Sequence, residues 1–227
     1  MNSIHTVNIQ FPEITLATRD AHKLRGYFGH MFEEYSPLLH NHLEGSHSGD
    51  KKLRYDYPLV QYKVLDQVPT LVGLEDGARL LIELFLKIKE LHLRGQTFPI
   101  LSKNIRSQTY DIGVGEELYQ YRFLTLWMAL NQNNFKRYQQ ADKAEKRNIL
   151  QRIGIGNILS LLKGLNIYLS EEERILIKLN LNPKSTKFKD QNMLAFEGSF
   201  TTNVLLPDSI GIGKAVSRGF GSIKRID

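Results

Sequence analysis

The sequence predicts an α+β chain built from two tandem copies of a strand-helix-strand-strand-helix-strand unit, and three observations predict it. Short stretches whose apolar residues alternate with polar ones recur along the chain, as half-buried strands require. Between them lie segments with leucine, isoleucine and phenylalanine at three- and four-residue spacing, the pattern of amphipathic helices. The order of these elements before the run Gly113-Val-Gly115 is repeated after it. A length of 227 residues suits one large core or two small ones of about 110 residues each.

In the first half, Val7, Ile9 and Phe11 alternate within Ile4 to Leu16, a strand broken at Pro12. Thr18 or Asp20 can cap a following helix that carries Leu24, Tyr27, Phe28 and Met31 on one face. Tyr35-Ser-Pro37 ends it. Val60, Tyr62 and Val64 alternate before a turn centred on Gln67, and Val68 to Leu74 completes a hairpin. Asp76 can cap a long helix, Gly77 to Leu93, and a fourth strand is expected over Ser107 to Val114.

The second half opens with an expected strand, Leu118 to Leu130, rich in Tyr, Phe, Thr and Trp. Phe135 to Leu165 reads as helix, with Gly154 and Gly156 as a kink or close-packing point. Arg174 to Leu181 and Met193 to Leu206 alternate as strands, joined through the basic connector Lys184-Ser-Thr-Lys187-Phe-Lys. A short helical piece after Pro207 and a last strand, Phe220 to Ile226, close the chain. Both halves thus follow the order of a ferredoxin-like domain, with boundaries expected at 1–115 and 116–227 and a glycine-rich loop near the C-terminus.

Composition narrows the chemistry. No cysteine is present, so disulfides, thiolate metal sites and cysteine nucleophiles are excluded. Thirty Lys and Arg against 24 Asp and Glu leave a net charge of +6. Local surpluses fall on residues 51–63, with Lys51, Lys52, Arg54 and Lys63, and on residues 134–152. Gathered by the fold they would make a surface for nucleic acid; the second is equally readable as a solvated helix face. The most hydrophobic window, Leu80 to Leu93, is interrupted by Glu83, Lys87, Lys89 and Glu90, so neither a membrane span nor a signal peptide is expected, and the cytoplasm is the default location.

The run Gly211-Ile-Gly-Lys-Ala-Val-Ser-Arg-Gly-Phe-Gly221 places four glycines beside Lys214, Ser217 and Arg218. Backbone without side-chain cover, next to cationic and hydroxyl donors, suits a phosphate-rich ligand. A P-loop would need Lys-Ser/Thr after its last glycine, and a dinucleotide fingerprint would open a βαβ unit; the run does neither. Read on glycine content alone it is a turn before a final strand.

A second cluster, His40-Asn-His42 with His47, occupies the loop after the first helix, ahead of Lys51, Lys52, Arg54 and Tyr55. Neutral imidazole titrates near pH 6.5, so two histidines could act as base and acid in RNA cleavage. Inert surface histidines and a metal site completed by Glu44 or Asp50 remain open on the residues alone. His30 is a weaker partner, His92 reads as structural near a helix C-terminus, and Trp127 reads as strand core or as a base-stacking platform.

The order Gly-aliphatic-Gly, five residues, Gly-Phe-Gly and a terminal strand resembles the loop that ends the CRISPR repeat-processing endoribonucleases, members of the repeat-associated RNA-binding superfamily, and looks closest to the type I-B subtype. The resemblance implies a metal-independent endoribonuclease without cofactor. It would cleave CRISPR precursor RNA within the repeat by 2′-OH attack, leaving 5′-hydroxyl and 2′,3′-cyclic phosphate ends. His40 and His42 would be catalytic, supported by Lys52 and Tyr55. Lys51, Arg54, Lys184, Lys187, Gly211, Gly213, Lys214, Ser217, Arg218, Gly219 and Gly221 would hold RNA. Repeat RNA is the implied partner; other subunits of a CRISPR effector complex and a homodimer stay open here. The rival readings are a non-catalytic guide-RNA-binding relative and a metal-dependent hydrolase.

Overall fold

Alternation in the first segment forms β1 (Asn2–Gln10), whose Val7 and Ile9, with Phe11 beyond its end, are fully buried on one face. The chain is seen in a computed structural model that describes residues 1–31, 57–93, 95–188 and 191–226. By contact it divides into an N-terminal unit, Ile4–Tyr110 with Ser217–Gly219, and a C-terminal unit, Met1–Ser3, Asp111–Val216 and Phe220–Asp227.

In the N-terminal unit, β1 leads through a 3₁₀ turn, Thr18–Asp20, to α1 (Ala21–Met31). The Asp20 carboxylate accepts from the Ala17 N–H at 3.2 Å, so Asp20 fixes the entry to the helix from inside that first turn. β2 (Val60–Leu65) and β3 (Val68–Leu74) form the expected hairpin. Asp66 and Gln67 turn it with φ of 49° and 67°, the left-handed pair a two-residue hairpin loop demands. With β6 (Asn104–Phe123) on its other flank, β1 sits centrally in the order β2-β3-β1-β6. Leu24 and Phe28 of α1 and Leu80, Leu81 and Leu84 of α2 (Asp76–Leu84) cover Val7, Ile9 and Phe11. Phe28 stacks between Phe11 at 6.2 Å and Tyr62 at 5.9 Å. Each such side chain contributes about 1.5–3 kcal/mol by burial.

The long helix expected over Gly77 to Leu93 is a correction. α2 stops at Leu84, one 3₁₀ turn covers Phe85–Lys87, and β4 (Glu90–Leu93) pairs with β5 (Gln96–Pro99). Leu91 and Leu93 are buried while Glu90 and His92 are exposed, a period of two that overrides the leucine count. The Lys103 ammonium ends the helix by donating to the carbonyls of Phe85 and of Ile88, the latter at 2.6 Å. His92 is therefore a strand residue, held between Thr97 Oγ1 and Glu90 Oε1 at 2.8 Å each, and not a helix-terminal cation.

β6 runs on through Gly113-Val-Gly115, so the expected boundary falls in the interior of a strand shared by the two units. In the C-terminal unit the helical segment is two helices, α3 (Gln132–Gln140) and α4 (Lys143–Gly164). Asn131 Oδ1 accepts from the Asn134 N–H and Asp142 Oδ1 from the Glu145 N–H, and these caps restart the helix. Gly154 gives the close approach: a Cβ there would meet Ile177 Cδ1 at 2.9 Å. β7 (Ile177–Phe188) and β8 (Gln191–Leu205) form a long hairpin. With β9 (Ile223–Arg225) the order is β9-β6-β8-β7. In each unit the third strand of the repeat separates the first from the second, and the fourth lies beside the first. The chain is a tandem of ferredoxin-like units, but the second helix of the second copy is reduced to a 3₁₀ turn, Val216–Arg218. No helix among the described residues is long and apolar enough to cross a membrane.

Candidate nucleic-acid interface

Backbone pairing builds the neck of the glycine-rich loop. Ser209 N–H donates to Ile223 O, Ile223 N–H to Ile210 O and Ile212 N–H to Gly221 O, at 2.8 to 3.0 Å, and Gly211 bridges Ser222. The Gly221 and Lys214 amides reach back to Leu126 O and Met128 O, each at 2.9 Å. The amides expected to face RNA are thus partly committed to the protein: those of Ile212, Lys214, Gly221 and Ser222 bond within the C-terminal unit.

The glycines are required for close packing. A Cβ on Gly213 would stand 2.6 Å from Trp127 Nε1, and one on Gly221 would stand 2.0 Å from Ile212 O. Both hold positive φ, 101° and 66°. Trp127 is fully buried, stacked on Phe123 at 5.5 Å with its Nε1–H donated to Asn157 Oδ1 at 3.1 Å, so it is core and no stacking platform.

Between the limbs of the neck the cationic residues emerge. Lys214 is exposed, while Ser217 and Arg218 are half-buried. Ser217–Gly219 packs with the N-terminal unit, where Gly219 lies over Ala21 of α1 and the Tyr62 carbonyl of β2. That contact brings Arg218 beside Arg25, one helical turn beyond Ala21. Burial, and then the Arg218 charge, lower the Arg25 pKa, partly offset by Tyr62. Arg25 escaped the sequence reading. Its helical offset from Ala21 carried no signal until the loop's resting place was known.

Lys184 and Lys187, expected in a hairpin loop, lie instead on β7, where the ladder runs from Ile177↔Thr202 to Phe188↔Gln191. Lys184 pairs with Glu197 at 3.1 Å across the hairpin and Lys187 is exposed. His40, His42, Lys51, Lys52, Arg54 and Tyr55 lie outside the described residues, as does His47. His30 is on the exposed side of α1.

Two ferredoxin-like units with a cation-bearing glycine loop define a tandem ferredoxin-like class of protein, and comparison with known proteins narrows it to a family. The Cas6b N-terminal domain family matches residues 2–111 and the Cas6b C-terminal domain family residues 113–226, so the chain belongs to the Cas6b family. A solved structure of Cas6b matches with TM-score 0.90 and 34% identity, covering 99% of this chain and 100% of that one. A second, of the CRISPR RNA processing endoribonuclease Cas6b, matches with TM-score 0.79 and 31% identity at 99% and 100% coverage. The uncharacterized protein MJ0978 of Methanocaldococcus jannaschii is 34% identical over 145 residues, 64% of this chain and 98% of that protein.

Proposed function

We propose that this chain is a CRISPR RNA processing endoribonuclease that cuts precursor RNA within the repeat by internal 2′-OH attack. The observation carrying this reading is the 31% identity over 99% of the chain to a CRISPR RNA processing endoribonuclease of the same family. A base removes the 2′-hydroxyl proton, the 2′ oxygen bonds to phosphorus, and the bond from phosphorus to the 5′ oxygen breaks. An acid returns a proton to that oxygen, leaving 2′,3′-cyclic phosphate and 5′-hydroxyl ends. His40 and His42 divide these two roles, with Lys52 and Tyr55 stabilising the charge on phosphorus, and no metal is needed.

The cations Lys51, Arg54, Lys184, Lys187, Lys214 and Arg218 hold the RNA backbone, together with Ser217 and the loop around Gly211, Gly213, Gly219 and Gly221. The Arg218 charge felt at Arg25 supports this part: two guanidiniums within electrostatic reach of each other suit a phosphate. The enzyme acts in the cytoplasm on CRISPR repeat RNA, alone or with other subunits of an effector complex.

Purified protein is incubated with repeat RNA in excess EDTA, beside the same RNA with a 2′-deoxy sugar at the cut site. Cleavage of the first and not of the second is expected, and a His40→Ala/His42→Ala variant should bind repeat RNA without cutting it. Activity that needs added metal, or that survives both changes, would refute the mechanism.

A further inference from the structure

The register of the C-terminal unit sorts its sheet into two faces. Ile177, Leu179, Phe200, Tyr121 and Ile223 point toward α4, whose Gly154 packs on Ile177. On the opposite face, one row across four strands reads Lys224, Arg122, Ser199 and Asn180, and the next reads Gln120, Thr201 and Lys178. Arg122, Lys224, Lys178, Asn180 and Gln120 are exposed.

These two rows hold three cations, four hydroxyl or amide side chains and no acid. Arg122 and Lys224 stand directly opposite each other on neighbouring strands, about 5 Å apart, an arrangement that destabilises a sheet by like-charge repulsion. None of the three cations is paired with an acid among the described residues. The adjoining row of this face carries Glu197 opposite Asn182, already engaged by Lys184 at 3.1 Å, so the opposed Arg122 and Lys224 remain a cationic pair complementary to a polyanion. The rows also lack any aromatic side chain, so bases have nothing to stack on and the face offers only groups that phosphate and ribose accept.

We propose that this open face, centred on Arg122 and Lys224 with Lys178 beside them, is a phosphate-backbone track for the RNA strand, separate from the glycine loop and indifferent to base sequence. The proposal rests on the reading that the chain binds RNA. It differs in assigning part of the affinity to a surface that no sequence motif marks.

Fluorescence anisotropy on the full chain, from 50 to 300 mM salt, with repeat RNA and with a scrambled RNA of equal length, tests it. In Arg122→Gln/Lys224→Gln the slope of log K against log salt should become shallower by about 1.4, at roughly 0.7 for each lost phosphate contact, and equally for both RNAs. Lys178→Gln alone should show about half that change. Lys163→Gln, on α4, is the control for net charge and should leave the slope unaltered. If wild type cuts and binds repeat RNA while the double variant keeps its slope, the track is refuted and the endoribonuclease reading stands. An effect confined to repeat RNA would refute indifference to sequence, and a wild type that binds neither RNA would sink both.

Discussion

Gly219 sits against Ala21 so closely that a Cβ placed on it would stand 2.5 Å from the Ala21 Cβ and 3.2 Å from the Tyr62 carbonyl oxygen. Its φ of +90° adds strain for any other residue. Gly219→Ala should therefore lower the unfolding free energy by about 1–3 kcal/mol, read as a lower urea midpoint. Gly26→Ala, in α1 with open space around it, is the contrasting change and should be neutral or stabilising by up to about 1 kcal/mol. Equal midpoints for the two variants would show that the loop can give way at this point.

Lys63 is fully buried on β2 opposite Thr70, and burial pushes its ammonium down to about 7. An unfolded lysine keeps its proton to about 10.4, so between these values the unfolded chain binds more protons and stability rises with pH. The contribution is complete above the unfolded value and is lost as pH falls through the folded one. Unfolding free energy should climb by about 1 kcal/mol per pH unit from 7 to 9. Buried Tyr121, pushed up to about 12, titrates above this window. Lys63→Met should flatten the slope; parallel urea titrations at pH 7, 8 and 9 compare the two proteins, and identical slopes would count against the burial argument.

Much of this fold was legible where one period dominated. The hairpin through Asp66 and Gln67 declared itself because alternation on both sides flanked a two-residue turn. Leu91 failed as a guide because its spacing from Leu84 and Ile88 fits a helix while its alternation with His92 and Leu93 fits a strand; pairing with Gln96–Pro99 decided the outcome. The glycine loop is recognisable from its spacing, but the spacing does not report that Gly213 and Gly221 are also held small by Trp127 and Ile212 pressing on them. Arg122 and Lys224 could not be matched from the sequence. Strand pairing between distant segments sets which charges meet, and no local signal reports it.

Trp127 donates its Nε1–H to Asn157 Oδ1 in the core of the C-terminal unit, and it is the chain's single tryptophan. Asn157→Leu leaves that buried donor without its acceptor, at about 1–3 kcal/mol. The urea midpoint should fall while the fluorescence stays blue-shifted, since the stacked Phe123 and neighbouring Phe196 still exclude water from the ring. A red-shifted native spectrum would instead mean that the hydrogen bond is what keeps the indole inside.

Arg25 and Arg218 make the sharpest test of how the glycine loop works. Burial, and after it the Arg218 charge, disfavour the charged form of Arg25, so the two guanidiniums oppose each other electrostatically. An RNA phosphate bound between them would relieve that repulsion. Arg25→Gln and Arg218→Gln should each weaken binding several-fold, and if both guanidiniums hold one phosphate, the double variant should lose less than the sum of the single losses, with coupling above about 0.5 kcal/mol. A filter-binding or anisotropy cycle over the four proteins measures that coupling. Strict additivity would place the two arginines on different phosphates, and a single variant that binds as wild type would remove that arginine from the RNA path.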